Sequence, residues 1–179
     1  MNLYLRLLIA FVRGRFLPKI KPTDELVRSL RVLPNDIDIN GHLNNGRYAT
    51  LVDLLIIEQG MRVGILGKAL KLGWKPMTAS GLLSYRKQLK PFEKFNVHFK
   101  MDCWDDKWAY MHFRFVKQDG SLAAVGYFKC GFVSRKGLVA QQLVDEKFEL
   151  NRGDCELHPT IELWKQSEQA LMQRAQASF

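Results

Sequence analysis

One short polar stretch, residues 35–48, carries side chains that can act on an activated carbonyl group. Asp38 supplies a carboxylate, which can attack a carbonyl carbon or take a proton from water. Asn44 and Asn45 directly precede an apolar segment with helical spacing, so the first turn of a helix is predicted there. Because the first N–H groups of a helix lack internal partners, that end can hold a developing oxyanion. The stretch therefore suits acyl transfer.

Apolar residues recur every three or four positions after this stretch, which predicts a helix from near Gly46 to Gln59 with Gly60 at its C-terminal end. Few of its positions are polar, so we expect this helix to be buried at the centre of the fold. Asp53 is an exception, because a carboxylate inside an apolar helix must find a partner or face a cavity. It is a second candidate for the catalytic acid or base. Tyr48 is a further secondary candidate, with a place in the core as the simpler interpretation.

Five strand patterns flank the predicted helix, with turn residues between them. An antiparallel sheet curled around one long helix, an α+β fold, accounts for this order. An N-terminal amphipathic segment is expected over residues 1–22, the main domain over 23–144, and a C-terminal extension over 145–179. We expect that extension to carry a helix and to pack on the same domain or on a partner subunit. The strand patterns cover residues 26–34, 77–89, 95–104, 108–116 and 122–134.

The polar stretch contains a complete motif, Asp-x-Asp-x-x-Gly-His-x-Asn-Asn-x-x-Tyr, that resembles the signature of hotdog-fold acyl-CoA thioesterases of the 4-hydroxybenzoyl-CoA thioesterase-like family. The resemblance implies a hotdog fold, hydrolysis of a thioester without a cofactor or metal, and a homodimer or a tetramer built from dimers. It implies that Asp38 is the catalytic carboxylate. It also implies that Gly41, His42, Asn44 and Asn45 orient the substrate or hold its oxyanion. The motif positions are Asp36, Asp38, Gly41, His42, Asn44, Asn45 and Tyr48.

Simpler roles are open for several of these residues. Asp36 is most simply a turn residue, Asn44 or Asn45 can be a helix N-cap, and His42 can merely tie the loop down. Two alternative functions also stand: a non-catalytic lipid- or acyl-binding hotdog protein at a membrane surface, and a hotdog enoyl-CoA hydratase. The absence of proline between Asp38 and His42 argues against the hydratase. Three points stay open. The acyl group is one, although we favour a fatty acyl chain. The others are the carrier, coenzyme A or acyl-carrier protein, and the role of Asp38 as nucleophile or base.

Composition and charge exclude some classes of protein. With 47% hydrophobic and 25% charged residues, the chain is neither collagen-like nor disordered. A net charge of +9 favours polyanionic partners, but the sequence carries no nucleic-acid-binding motif, so nucleic acid is not expected as a partner. Residues 1–21 combine apolar helical spacing with basic residues, which indicates either peripheral contact with an anionic membrane or a helix packed on its own domain. Three separated cysteines favour a reducing, cytoplasmic setting without a metal site.

Overall fold

The computed structural model describes residues 2–150, 152–153 and 155–177 of the chain. Within these residues, six strands form one antiparallel sheet in the order β1-β3-β4-β5-β2, with β6 paired to β5. Five α-helices and a short 3-10 helix (Pro34–Asp36) accompany the sheet. The strands are β1 (Leu26–Arg31), β2 (Lys75–Tyr85), β3 (Lys94–Trp104), β4 (Ala109–Lys117), β5 (Leu122–Ser134) and β6 (Gly137–Val139). The helices are α1 (Asn2–Phe16), α2 (Asn45–Val63), α3 (Ile65–Lys71), α4 (Gln141–Phe148) and α5 (Pro159–Ala177).

The sheet wraps around α2, and the core lies between them. Leu51 and Val52 of α2 are fully buried against aromatic side chains from the strands. Along β3 every second side chain is buried, because successive side chains of a strand point to opposite faces. The predicted α+β hotdog architecture, with a long central helix and helices at both ends of the chain, is confirmed.

Three predicted ends are wrong by three residues or more. The first strand ends at Arg31 rather than at residue 34, because Pro34 begins the 3-10 helix. The central helix does not end at Gly60 but continues to Val63, where Gly64 adopts a φ of 87° and donates to the carbonyls of the last turn. This left-handed conformation suits glycine, and it marks the end that the sequence pattern had placed one turn too early. The second predicted strand ends at Tyr85 rather than at Leu89, because Leu89 turns into the core and its carbonyl accepts the N–H of Leu43 at 2.9 Å.

Candidate active site

Backbone hydrogen bonds close the loop between the 3-10 helix and α2 on itself. Ile37 and Leu43 form an isolated antiparallel bridge. Between them, the N–H of Asp38 donates to the carbonyl of His42, and the N–H of Gly41 donates to the carbonyl of Asp38, both at 3.0 Å. Gly41 has a φ of 74°, so its place in the motif has a backbone reason. The loop holds these three motif residues in one compact turn.

Asp38 and His42 face each other within this turn. The Asp38 side chain is 15% exposed; its Oδ1 accepts the N–H of Asn40 at 2.9 Å, and its Oδ2 lies 3.6 Å from Nδ1 of His42. The same Nδ1 is 3.2 Å from the carbonyl oxygen of Leu43. Because both neighbours of this nitrogen are acceptors, the neutral imidazole carries its proton on Nδ1 and keeps Nε2 as an acceptor. The pair combines an ionisable carboxylate with a second proton acceptor.

The N-terminus of α2 opens into a polar cleft of about 370 Å³. Asn44 is the N-cap of the helix, since its Oδ1 accepts the N–H of Gly46 at 2.8 Å. Asn45 is the first helical residue, so its N–H has no acceptor within α2 and can bind a ligand oxygen. Arg47 and Ile37, the residue that precedes Asp38, belong to the wall of the cleft. The motif therefore forms a turn next to an open helix N-terminus. The cleft lining includes Asn44 but not Asp38 or His42, and Arg47 is a cleft residue that the motif did not single out.

Asp36 holds the loop to α1 and is more than a turn residue. Its side chain is 3% exposed, and its Oδ2 and Oδ1 receive the Arg6 guanidinium at 2.8 and 3.3 Å. Its Oδ2 also accepts the N–H of Leu33 at 3.0 Å, and its backbone carbonyl accepts the N–H of Asn44 at 2.8 Å. Asp36 thus connects α1 to the N-cap of α2. Its partner Arg6 lies 30 residues away, so local spacing could not reveal the pair.

Asp53 lies at a cavity whose lining includes no residue of the motif. This cavity, of about 450 Å³, lies between the C-terminal half of α2 and the sheet, and Asp53 is exposed at its edge. Desolvation by the surrounding atoms raises the pKa of the Asp53 carboxyl. Eight residues separate it from the start of α2, about 12 Å along the helix axis. The lining is mostly apolar and includes Ile56, Ile57, Met77, Thr78, Met101, Met111, Cys130 and Phe132.

Tyr48 belongs to the core rather than to the site. It is 3% exposed, and its ring packs against Tyr85 and Phe115 with centroids 5.0 and 4.8 Å apart. Burial raises the pKa of its phenol to about 12, so the hydroxyl stays neutral at physiological pH. Asn45 borders this group, since its carbonyl accepts the Tyr85 hydroxyl at 3.1 Å.

The described residues contain neither a cluster of metal-ligating side chains nor a helix suited to span a membrane. No group of three or more His, Cys, Asp or Glu side chains in that part of the chain can hold a metal ion. None of its helices combines the length and hydropathy that crossing a membrane requires.

Several proteins of known structure share this fold. The protein SAV2348 from Staphylococcus aureus, solved in complex with CoA, matches with a TM-score of 0.60 and 15% identity over 78% of this chain and 94% of that one. The DHNA-CoA thioesterase from Staphylococcus aureus matches with a TM-score of 0.61 and 15% identity over 84% of this chain and 95% of that one. At these identities the likeness establishes the fold.

Sequence relatives include a protein THEM6 from Xenopus laevis, 32% identical over 124 residues, or 68% of this chain. A probable thioesterase, YBR096W, from Saccharomyces cerevisiae is 29% identical over 93 residues, or 50% of this chain. The chain spans 60% of the Xenopus relative's length and 39% of the yeast one. The profile of the thioesterase-like superfamily matches residues 32–151, which include the whole motif, α2 and the sheet from β2 to β6. The chain belongs to the thioesterase-like superfamily.

Proposed function

We propose that the protein hydrolyses acyl-CoA thioesters, with Asp38 as the catalytic carboxylate and the N-terminus of α2 as the oxyanion site. The observation that carries the proposal is the closed turn that pairs Asp38 with His42 in the loop directly before α2, whose Ile37 and Asn44 line the cleft at the start of that helix. In this cleft the thioester oxygen accepts the N–H of Asn45 and lies at the positive end of the helix dipole. Family membership supports thioester hydrolysis as the general chemistry.

Two routes balance the reaction. As a general base, Asp38 takes a proton from water, the hydroxide attacks the carbonyl carbon, and the tetrahedral oxyanion expels the thiolate, which then regains the proton. As a nucleophile, Asp38 forms an acyl anhydride and releases the thiolate; water then hydrolyses the anhydride to the free acid and the Asp38 carboxylate, and the remaining proton passes to the thiolate. In both routes His42 orients Asp38 through Nδ1, and Gly41 shapes the turn.

A fatty acyl chain is the substrate that we favour for the 450 Å³ cavity. The volume falls in the range of small-molecule sites, and side chains such as Met111, Ile57 and Phe132 offer apolar contact to a flexible chain. Asp53 lies at the edge of this cavity and is the alternative acid or base. Coenzyme A as the carrier is consistent with the net charge of +9, since its phosphates are anionic.

We further propose that the protein acts as a homodimer in the cytoplasm, paired through β2. This strand is an edge of the sheet, bonded to β5 on one side only, and most of its residues are exposed. Helix α5 crosses the sheet towards that edge: Ile161 packs with Cys103 of β3, and Glu168 pairs with Lys129 of β5. Residues 169–177 are all exposed and would pack on the partner subunit. Leu82→Lys on β2 should lower the mass measured by light scattering to that of a monomer; an unchanged dimer mass argues against this edge.

Thiol release from a panel of acyl-CoAs, from short to long and including aryl groups, tests the proposed reaction. Asp38→Asn should lower the rate about 100-fold or more, because it removes the carboxylate that we propose as base or nucleophile. Asp106→Asn, the same substitution in an exposed turn, is the matched control and should keep the parental rate. Circular dichroism confirms that both variants fold. An unchanged rate in Asp38→Asn removes Asp38 from the mechanism, and a loss in Asp53→Asn instead moves the site to the cavity.

The same panel tests the acyl chain. Thr78 is exposed at the wall of the cavity, so Thr78→Phe should fill space and reduce hydrolysis of long chains more than of short ones. Thr23→Phe, at an exposed position in the loop before β1, is the matched control. Equal losses for long and short chains would mean that the chain binds elsewhere. Binding of acyl-CoA without thiol release would instead favour a non-catalytic acyl-binding protein.

A further inference from the structure

The polar and apolar sides of α1 are placed in the opposite way to those of an ordinary surface helix. Arg6 points inward, where its side chain is 11% exposed and pairs with buried Asp36. Arg13 also turns inward, and its Nε lies 3.1 Å from Oε1 of Glu58, a side chain of α2 that is 1% exposed. Gly14 lies against Met61 of α2, where a Cβ would come within 2.7 Å, so the two helices approach closely. These contacts determine which side of α1 faces the protein.

The outward side of α1 is consequently apolar. Tyr4, Leu5, Leu8, Val12 and Phe16 are between 47% and 78% exposed, and we call them the outer face of α1. In a surface helix these positions are normally polar, because the apolar stripe faces the core. Large exposed apolar patches of this kind mark interaction sites.

Charge identifies the partner. No acidic residue occurs before Asp24, while Arg15, Lys19 and Lys21 are exposed at the C-terminal end of α1 and just beyond it. If this segment paired with the same segment of a second copy, its cationic end would meet no acidic group. An anionic lipid surface supplies both hydrocarbon for the outer face and negative headgroups for the basic residues.

We infer that α1 is an interfacial helix that lies in the plane of an anionic membrane, with its outer face in the lipid and its Arg6 and Arg13 ion pairs holding the domain beneath it. The sequence pattern left two alternatives open, contact with an anionic membrane or a helix packed on its own domain. The structure divides the basic residues: Arg6 and Arg13 attach the helix to the domain, Lys19 donates from Nζ to the carbonyl of Met61 at 3.1 Å, and Arg15 and Lys21 are left for the membrane. The inference does not depend on the reaction that the domain catalyses. It also places the Asp36 loop, which Arg6 contacts, on the side of α1 that faces away from the lipid.

Flotation of the full chain with vesicles tests this inference. The parent should bind vesicles of phosphatidylcholine with phosphatidylglycerol and bind phosphatidylcholine alone much more weakly. Leu8→Ser/Val12→Ser should lower the partition coefficient about tenfold or more, because it removes two buried apolar side chains from the lipid. Leu70→Ser/Leu72→Ser, at two exposed leucines at the end of α3 and just beyond it (54% and 51%), is the matched control and should bind as the parent does.

A second pair of variants tests the charge. Arg15→Gln/Lys21→Gln should weaken binding to the anionic vesicles by about fivefold per residue and leave binding to neutral vesicles unchanged. Failure of the parent to bind either vesicle overturns the inference, as does equal binding by Leu8→Ser/Val12→Ser. A fall in oligomer mass for that variant, with vesicle binding unchanged, would assign the outer face to a second copy instead.

Discussion

The ion pair between Arg6 and Asp36 should be a principal support of both α1 and the motif loop. Arg6→Met removes two charge-assisted hydrogen bonds, of 2.8 and 3.3 Å, from a carboxylate that is 3% exposed. Leaving one charge of a buried pair without its partner costs about 3 to 5 kcal/mol. Asp36 keeps the Leu33 N–H and has Arg47 Nε at 3.9 Å, so we expect the lower end, about 3 kcal/mol. For a chain of this size, this corresponds to a fall in Tm of about 6 to 12 °C.

The matched control is Arg114→Met, which breaks an ion pair with Glu25 of similar length, 3.1 Å, but at an exposed position. Exposed pairs contribute about 0 to 1 kcal/mol, so its Tm should change little. In the double variant Arg6→Met/Asp36→Leu the unpaired charge is gone, and part of the lost stability should return. Recovery stays incomplete because the Leu33 N–H loses its acceptor, at about 1 to 3 kcal/mol. If urea unfolding finds Arg6→Met no more damaging than Arg114→Met, the buried pair does not support the fold.

Further substitutions test the cavity and the sheet, the last with a matched glycine in α3. Asp53→Asn should raise stability at about pH 7 and leave it unchanged near pH 3: the folded pKa of Asp53 is raised, so its contribution is complete below the unfolded pKa and is lost as the pH rises through the folded one. Urea titrations at both values measure this, and equal gains would show that desolvation is not the cause. Gly126→Ala should destabilise by about 3 kcal/mol or more, since its Cβ would lie 2.2 Å from the Leu82 carbonyl oxygen. Gly67→Ala meets no atom within 4 Å in α3 and should stabilise by about 0.5 to 1 kcal/mol; a similar loss in both variants would contradict the steric argument.

Local periodicity was sufficient to predict the sheet, the central helix and the polar stretch between them. The predicted strand over residues 122–134 agrees with β5 at both ends. The end of α2 was wrong because Gly60 and Gly64 are equivalent as sequence signals, and only the backbone conformation distinguishes them. The short strand β6 escaped prediction because three residues are too few to show a period.

The parts of the site that sequence could not predict depend on contacts between distant residues. Asp36 is of a residue type that is common in turns. Nothing near it in sequence indicates that Arg6, 30 positions earlier, forms a buried ion pair with it. Asp53 was correctly expected to need a partner or a cavity, but its distance from the motif could be judged only once α2 had a direction and a length. Motif spacing thus identified the candidate loop. Only the three-dimensional packing showed that α1 holds this loop and that Asp53 lies at a cavity away from it.

The orientation of α1 illustrates this limit most clearly, because its sequence is apolar on nearly every side. Hydrophobic periodicity alone favours placing Arg6 and Arg13 in solvent, since an exposed arginine costs less than a buried one. The buried carboxylates Asp36 and Glu58 reverse that preference: Arg6 reaches Asp36 at 2.8 Å and Arg13 reaches Glu58 at 3.1 Å, closer than the other arginines that pair with them. The helix therefore turns Arg6 and Arg13 inward and Leu5 and Leu8 outward, and these two ion pairs with acidic residues outside α1 create the surface that we assign to lipid.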